Sequence, residues 1–231
     1  VSNPRPKAGR LSFLGSVLVA LLAATIVTVL ALALPVDEST PLFEETGPFE
    51  RASPWLWLAF ALWIPLVFRK PTLEVAAGMV VAIAAAAREW DWHLAFTDYS
   101  VLKPPFYYRE GTIPERLIAG GIMLVVIAAV VVLLARLIHL RPWKRPWPWW
   151  VFALGFAFFM LVSTKAVDRA PAILRDDLGW INLDEHLRVR TVFYAIEEGL
   201  EMLLPVFFGA HALALARWHA SRKHAHAAAT K

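Results

Sequence analysis

The sequence predicts an all-α fold, a polytopic membrane bundle of about six transmembrane helices forming a single domain over residues 1–231. Three observations carry that prediction. Hydrophobic residues make up 58% of the chain and charged residues only 18%, with a mean hydropathy of +0.54, too apolar a balance for a water-soluble domain. Several apolar runs approach or exceed the roughly 20 residues that cross a bilayer core about 30 Å thick. The basic residues flank those runs instead of forming a basic domain, so the pI near 9.6 reads as membrane topology and not as nucleic-acid binding. No cysteine is present, which excludes disulfides, thiolate metal sites and a cysteine nucleophile and leaves the compartment open.

The elements follow in order. Span one covers about 11–34. Its apolar run of about 24 residues is longer than the 7–15 of a signal peptide, so Ala31-Leu32-Ala33, which has the form of a cleavage site, is read as part of the span. Span two covers about 48–68, beginning at Pro48 or Pro54. It ends at Arg69-Lys70-Pro71-Thr72, a short turn whose Pro71 and Thr72 suit a helix start and which makes spans two and three a tight antiparallel hairpin. Span three, about 73–93, has a short apolar part. Its helix is therefore expected to continue through Arg88-Glu89-Trp90-Asp91-Trp92-His93, with Trp90 and Trp92 as belt residues. Spans four, five and six cover about 117–140, 148–164 and 192–216, the fifth again short.

Between spans, Leu94 to Glu115 gathers Phe96, Tyr99, Phe106, Tyr107 and Tyr108, which would anchor at an interface or cover a site. Ala166 to Arg190 mixes apolar and charged residues as a short interfacial helix would. Within it, Asn182 and Glu185 have the spacing of a capping box. The Pro- and Trp-rich linker from Arg141 to Trp150 reads as interfacial anchoring. No repeat of 20 to 50 residues is visible, which removes support for inverted-repeat transporter architecture.

Charge orients the chain. With the N-terminus inside, Arg5, Lys7, Arg10, Arg69, Lys70, Arg136, Arg141, Lys144, Arg145, Arg217, Arg222, Lys223 and Lys231 fall on the cytoplasmic side, with Glu74 as the one acid. Both termini are therefore expected in the cytoplasm, by the positive-inside rule.

Three polar clusters then share the opposite side. Arg88, Glu89, Asp91 and His93 end span three; Lys165, Asp168 and Arg169 follow span five; Glu197, Glu198 and Glu201 lie in the outer half of span six. The last group is the most unusual, because a charge at bilayer depth costs about 2.5–3.5 kcal/mol and normally faces a partner inside the protein. Glu89 and His93, like Glu197 and Glu201, are four residues apart, so each pair would share a helix face. Six carboxylates (Glu89, Asp91, Asp168, Glu197, Glu198, Glu201) stand against four fixed cations (Arg88, Lys165, Arg169, Arg116), an excess of two negative charges. Protonated carboxylates, a protonated His93 or a bound divalent ion would offset it, and ion pairs locking helix ends together are the structural alternative.

The set Arg88-Glu-x-Asp-x-His93, Lys165-x-x-Asp168-Arg169 and Glu197-Glu-x-x-Glu201, preceded by Glu45-x-Gly-x-x-Glu50, resembles a group of bacterial multi-pass membrane proteins with no assigned activity. A weaker similarity is to membrane-embedded zinc hydrolases of the alkaline ceramidase and adiponectin-receptor type. This chain departs from those in having no intramembrane His-x-x-x-His pair and in offering mostly carboxylates.

The expected protein is thus a bacterial inner-membrane protein with an outward-facing acidic site. Glu89, His93, Asp168, Glu198 and Glu201 are the candidate ligands for a divalent metal ion or an exchangeable proton. Glu198 and Glu201 are the candidate catalytic residues, and Arg88, Arg116 and Arg169 would bind an anion or headgroup. As an enzyme it would catalyse metal-assisted hydrolysis or transfer on a lipid-linked substrate. The alternatives are a non-catalytic subunit or assembly factor of a larger membrane complex, and a proton- or cation-coupled transporter. Membrane lipids and other membrane subunits are the expected partners, not nucleic acid. Ser163 and Thr164 beside Lys165 as an activated hydroxyl, and His139 with His211 as haem or quinone ligands, are weaker possibilities.

Overall fold

A computed structural model of the chain describes residues 7–44, 47–97, 99–140, 148–174 and 186–229, and among them the fold is all-α with no strand. The chain divides into two compact units, Val1–Ser53 with Pro146–Lys231, and Pro54–Arg145.

The first unit holds α1 (Lys7–Ala33), α2 (Val36–Phe43), α7 (Trp149–Ala172), α8 (Leu187–Glu201) and α9 (Leu204–Ala229), with the division falling inside α3 (Pro48–Phe68). Lipid is as apolar as leucine, so packing and small residues, rather than water exclusion, join such helices. The sequence of α1 supplies them at helical spacing, with Ser16, Ala20, Val27 and Ala31 buried. Against this stripe lies Gly199 of α8, where an added Cβ would come within 2.7 Å of a Val27 methyl. Ala153, Ala157, Met160 and Thr164 form the matching buried face of α7, and Phe156 meets Phe207 of α9 edge to face at 5.4 Å. Short α2 places Phe43, only 1% exposed, 5.0 Å from the ring of Phe49.

In the second unit, α4 (Leu73–Glu89) and α6 (Ile113–Leu140) pack together. Thr72 caps α4 by accepting from the Val75 N–H, the helix start expected of Pro71-Thr72. The preceding turn puts Arg69 in the left-handed region at φ 54°, its N–H donating to the Pro65 carbonyl at 2.9 Å. That conformation costs a non-glycine residue about 1–2 kcal/mol. At the same end the lone acid of the basic side finds a partner: Arg136 Nε lies 3.3 Å from Glu74 Oε1. Thr112 and Glu115 begin α6, the carboxylate accepting from both the N–H and the hydroxyl of Thr112. Of the α6 side chains only Ala129 is buried. The aromatic segment before it folds into a π-helical turn, Phe106–Glu110, with Phe106 fully buried and Tyr108 exposed.

Five stretches are long and apolar enough to cross a bilayer: Phe13–Ala33, Val36–Phe68, Ile113–Leu140, Trp149–Ala172 and Leu187–Ser221. The make-up is that of a multi-pass membrane protein. Five such stretches stand against the six spans expected: each expected span finds helix, but the third, α4, is not among the five and is overestimated. Asp91 turns left-handed at φ 52°, so α4 stops at 17 residues and a separate short α5 (Trp92–Ala95) follows. Trp90 stacks on Trp92 at 5.4 Å and meets Trp55 edge on at 5.1 Å, contacts that the break permits. The fifth span is underestimated: α7 runs through Lys165, Asp168 and Arg169 to Ala172, and these residues extend the helix instead of following it. The sixth is interrupted between α8 and α9. The linker residues 141–147, the capping pair Asn182 and Glu185, and Glu45 lie outside the described residues. So does the middle of the expected interfacial helix, residues 175–185.

Candidate functional site

The interruption of the last span has a local cause. Pro205 has no N–H to give the carbonyl of Glu201, and its ring would clash with that carbonyl in a continuous helix. The Val206 N–H reaches only three residues back, to the Leu203 carbonyl at 3.0 Å, and the Phe207 N–H makes a regular helical bond to the same carbonyl at 3.1 Å. α8 ends at Glu201 and α9 begins at Leu204.

That carboxylate is buried, 8% exposed, and its Oε1 lies 2.5 Å from the Lys165 ammonium of α7. The two helices place the pair through opposite faces of α8: Gly199 lies against Val27 of α1, and Glu201, two residues or about 200° further round, meets α7. Thr164, next to Lys165, is fully buried, but its hydroxyl donates to the Leu161 carbonyl of its own helix at 3.0 Å. It satisfies itself there and is not an activated nucleophile. Glu197 and Glu198 are half-buried on the same turn as Glu201 and have interactions of their own, whereas Asp168 and Arg169 are exposed on α7.

In the second unit the Glu74–Arg136 pair sets the antiparallel register of α4 and α6. Fifteen residues along α4 to Glu89, or 20 back along α6 to Arg116, lead to the same end of the unit, about 22 and 30 Å away. Arg88, exposed, reaches Glu89 at 3.2 Å. His93 lies in α5, off the α4 helix, so the common face expected for Glu89 and His93 is not formed by one continuous helix. Its Nδ1 is 3.8 Å from Asp91 Oδ1. The His93 Nδ1, Tyr107 hydroxyl and Arg116 Nε are buried with no hydrogen-bond partner among the described residues.

The candidate residues thus divide between the two units, with Lys165, Asp168, Arg169, Glu197, Glu198 and Glu201 in the first and Arg88, Glu89, Asp91, His93 and Arg116 in the second. Among the described residues, no three His, Asp or Glu side chains stand together in a metal-holding arrangement.

Three features of the first unit carry no obvious sequence signal. Arg188 Nη1 donates to the carbonyls of Ala31, Leu32 and Leu34 at 3.3, 2.7 and 3.1 Å, capping the end of α1 with a side chain from α8. The Thr40 and Thr191 hydroxyls meet at 2.9 Å. His211 donates from Nδ1 to the Trp150 carbonyl at 3.0 Å, tying α9 to α7, while His139 is exposed near the end of α6. The spacing of Arg188 from residues 31–34 is too long for any local pattern to reveal.

Comparison of the chain with protein-family models, with curated proteins and with solved structures finds no match to any of the three.

Proposed function

We propose that the chain is a protein of a bacterial cytoplasmic membrane, with both termini inside, that binds an exchangeable cation at Glu198 and Glu201. Lys165 is the resident counter-charge that the cation displaces. What supports this reading is the Lys165–Glu201 pair itself, a buried carboxylate placed where Pro205 interrupts the helix. Interrupted membrane helices put freed carbonyls beside charged side chains, an arrangement suited to holding ions. A proton on Glu201 cancels its charge and releases Lys165. A divalent ion would do the same by coordination, drawing on Glu198 and Asp168 of the same unit. In that form the metal would supply an activated water for hydrolysis or transfer on a lipid-linked substrate, with Glu198 as the group that would accept its proton and Arg169 as the cation that would meet the anionic headgroup.

Elemental analysis of purified protein, wild type beside Glu201→Gln, tests the metal form, and proton or cation flux in proteoliposomes tests the exchange form. An ion retained by the wild type and lost in the variant supports the first; flux that depends on Glu201 supports the second. Absence of both overturns the proposal. The same ion pair favours a second reading, a non-catalytic subunit of a larger membrane complex in which the pair locks α7 to α8. That reading predicts a stable partner through mild detergent purification and near-normal behaviour of the Glu→Gln variants.

A further inference from the structure

At the turn between α3 and α4 lies a cavity of about 400 Å³. Pro65, Val75 and Met79 form its apolar side, and Arg69, Lys70 and Thr72 its polar side. No carboxylate is among its described lining residues, and Glu74, the nearest acid in sequence, pairs with Arg136. Both cations are exposed. One of them stands where glycine fits best: Arg69 holds φ 54°, a conformation that glycine adopts without penalty. The backbone gains nothing from the arginine, so its long cationic side chain is what the position adds.

We propose that this cavity binds an anionic phospholipid, its phosphate on Arg69 and Lys70 and the first methylenes of an acyl chain along Pro65, Val75 and Met79. Charge complementarity selects the occupant. Two cations with no carboxylate among the described lining residues suit a phosphate, and an apolar wall beside them suits the chain attached to it. The positive-inside pattern puts this turn in the cytoplasmic leaflet. The site belongs to the second unit and is independent of the Lys165–Glu201 pair.

The strained arginine provides a test that misfolding cannot mimic, because Arg69→Gly relieves the backbone while removing the charge. Full-length wild type, R69G/K70Q and Ala76→Phe, which fills the cavity from a lining position and keeps both cations, are compared in mild detergent. Each is mixed with phosphatidylglycerol, with phosphatidylcholine or with inorganic phosphate. Phosphatidylglycerol at about 100 times its dissociation constant raises the wild-type Tm by about 5 °C over phosphatidylcholine. R69G/K70Q and A76F lose that increment, while R69G/K70Q in phosphatidylcholine melts no lower than wild type. Native mass spectrometry shows one retained phosphatidylglycerol on wild type alone. An increment that survives in R69G/K70Q overturns the proposal. So does one that survives in A76F, which would mark diffuse surface attraction, or an equal shift with inorganic phosphate, which would mark a free-anion site.

Discussion

The two units solve the same packing problem by different means. In the first, α8 is gripped from two sides: Gly199 admits Val27 of α1, and Glu201 pairs with Lys165 of α7. A side-chain cap from Arg188 and a Thr40–Thr191 hydroxyl pair add directional contacts. The second unit carries fewer such contacts among its described residues. One ion pair, Glu74–Arg136, joins α4 to α6 at one end, a tryptophan stack forms at the other, and α6 leaves all but Ala129 at least partly exposed. The difference teaches where polarity is spent in a membrane protein. In the first unit Lys165 and Glu201 pair between helices with the carboxylate buried, whereas the interhelical pair of the second, Glu74–Arg136, is partly exposed near helix ends, where screening is stronger.

Substitutions rank the contacts of this comparison. The largest effect is expected from Lys165→Met, which leaves Glu201 buried without its cation. Breaking a buried pair costs about 3–5 kcal/mol, and the 40% exposure of the Lys165 side chain lowers the expectation to about 2–3 kcal/mol. Thermal unfolding in detergent measures it, and Lys165→Met with Glu201→Gln should recover most of the loss. If the double variant is as unstable as the single one, the pair is not what holds α7 to α8. Gly199→Ala comes next at about 2 kcal/mol, from overpacking against Val27. Val27→Ala in the same chain should suppress part of that cost, and independent losses in a double-mutant cycle would show that the contact is not the cause. Arg188→Met removes one donor shared by three carbonyls at the end of α1, at about 1 kcal/mol. Faster amide exchange confined to the last turn of α1 would locate the effect. Smallest is Glu74→Gln, at about 0.5 kcal/mol or less, and reduced further by salt, because both partners are partly exposed. A loss above about 2 kcal/mol there would erase the contrast between the units.

The helices were largely legible in sequence because most of the apolar runs approach or exceed the length that crosses a bilayer core. Helix ends were not. Continuation through Arg88 to His93 follows from composition alone, but Asp91 adopts a left-handed backbone that seats Trp90 against Trp92 and Trp55, a tertiary reward invisible to hydropathy. Conversely, α7 absorbs Lys165, Asp168 and Arg169, since Lys and Arg are good helix formers and Lys165 has a partner in Glu201. At the site, hydropathy singled out Glu197, Glu198 and Glu201 as anomalous. Spacing alone left open which of them meets a cation and which cation that is.

The sequence by itself determined the all-α membrane character, the positions of the long helices and the presence of carboxylates that need partners. All of these follow from the cost of exposing polar groups to lipid, which acts residue by residue. Only the tertiary structure decided that Lys165 takes Glu201, that Gly199 is the point of closest approach to α1, and that Arg188 caps a helix more than 150 residues away. Those choices depend on distances between helices remote in sequence, which no local spacing encodes.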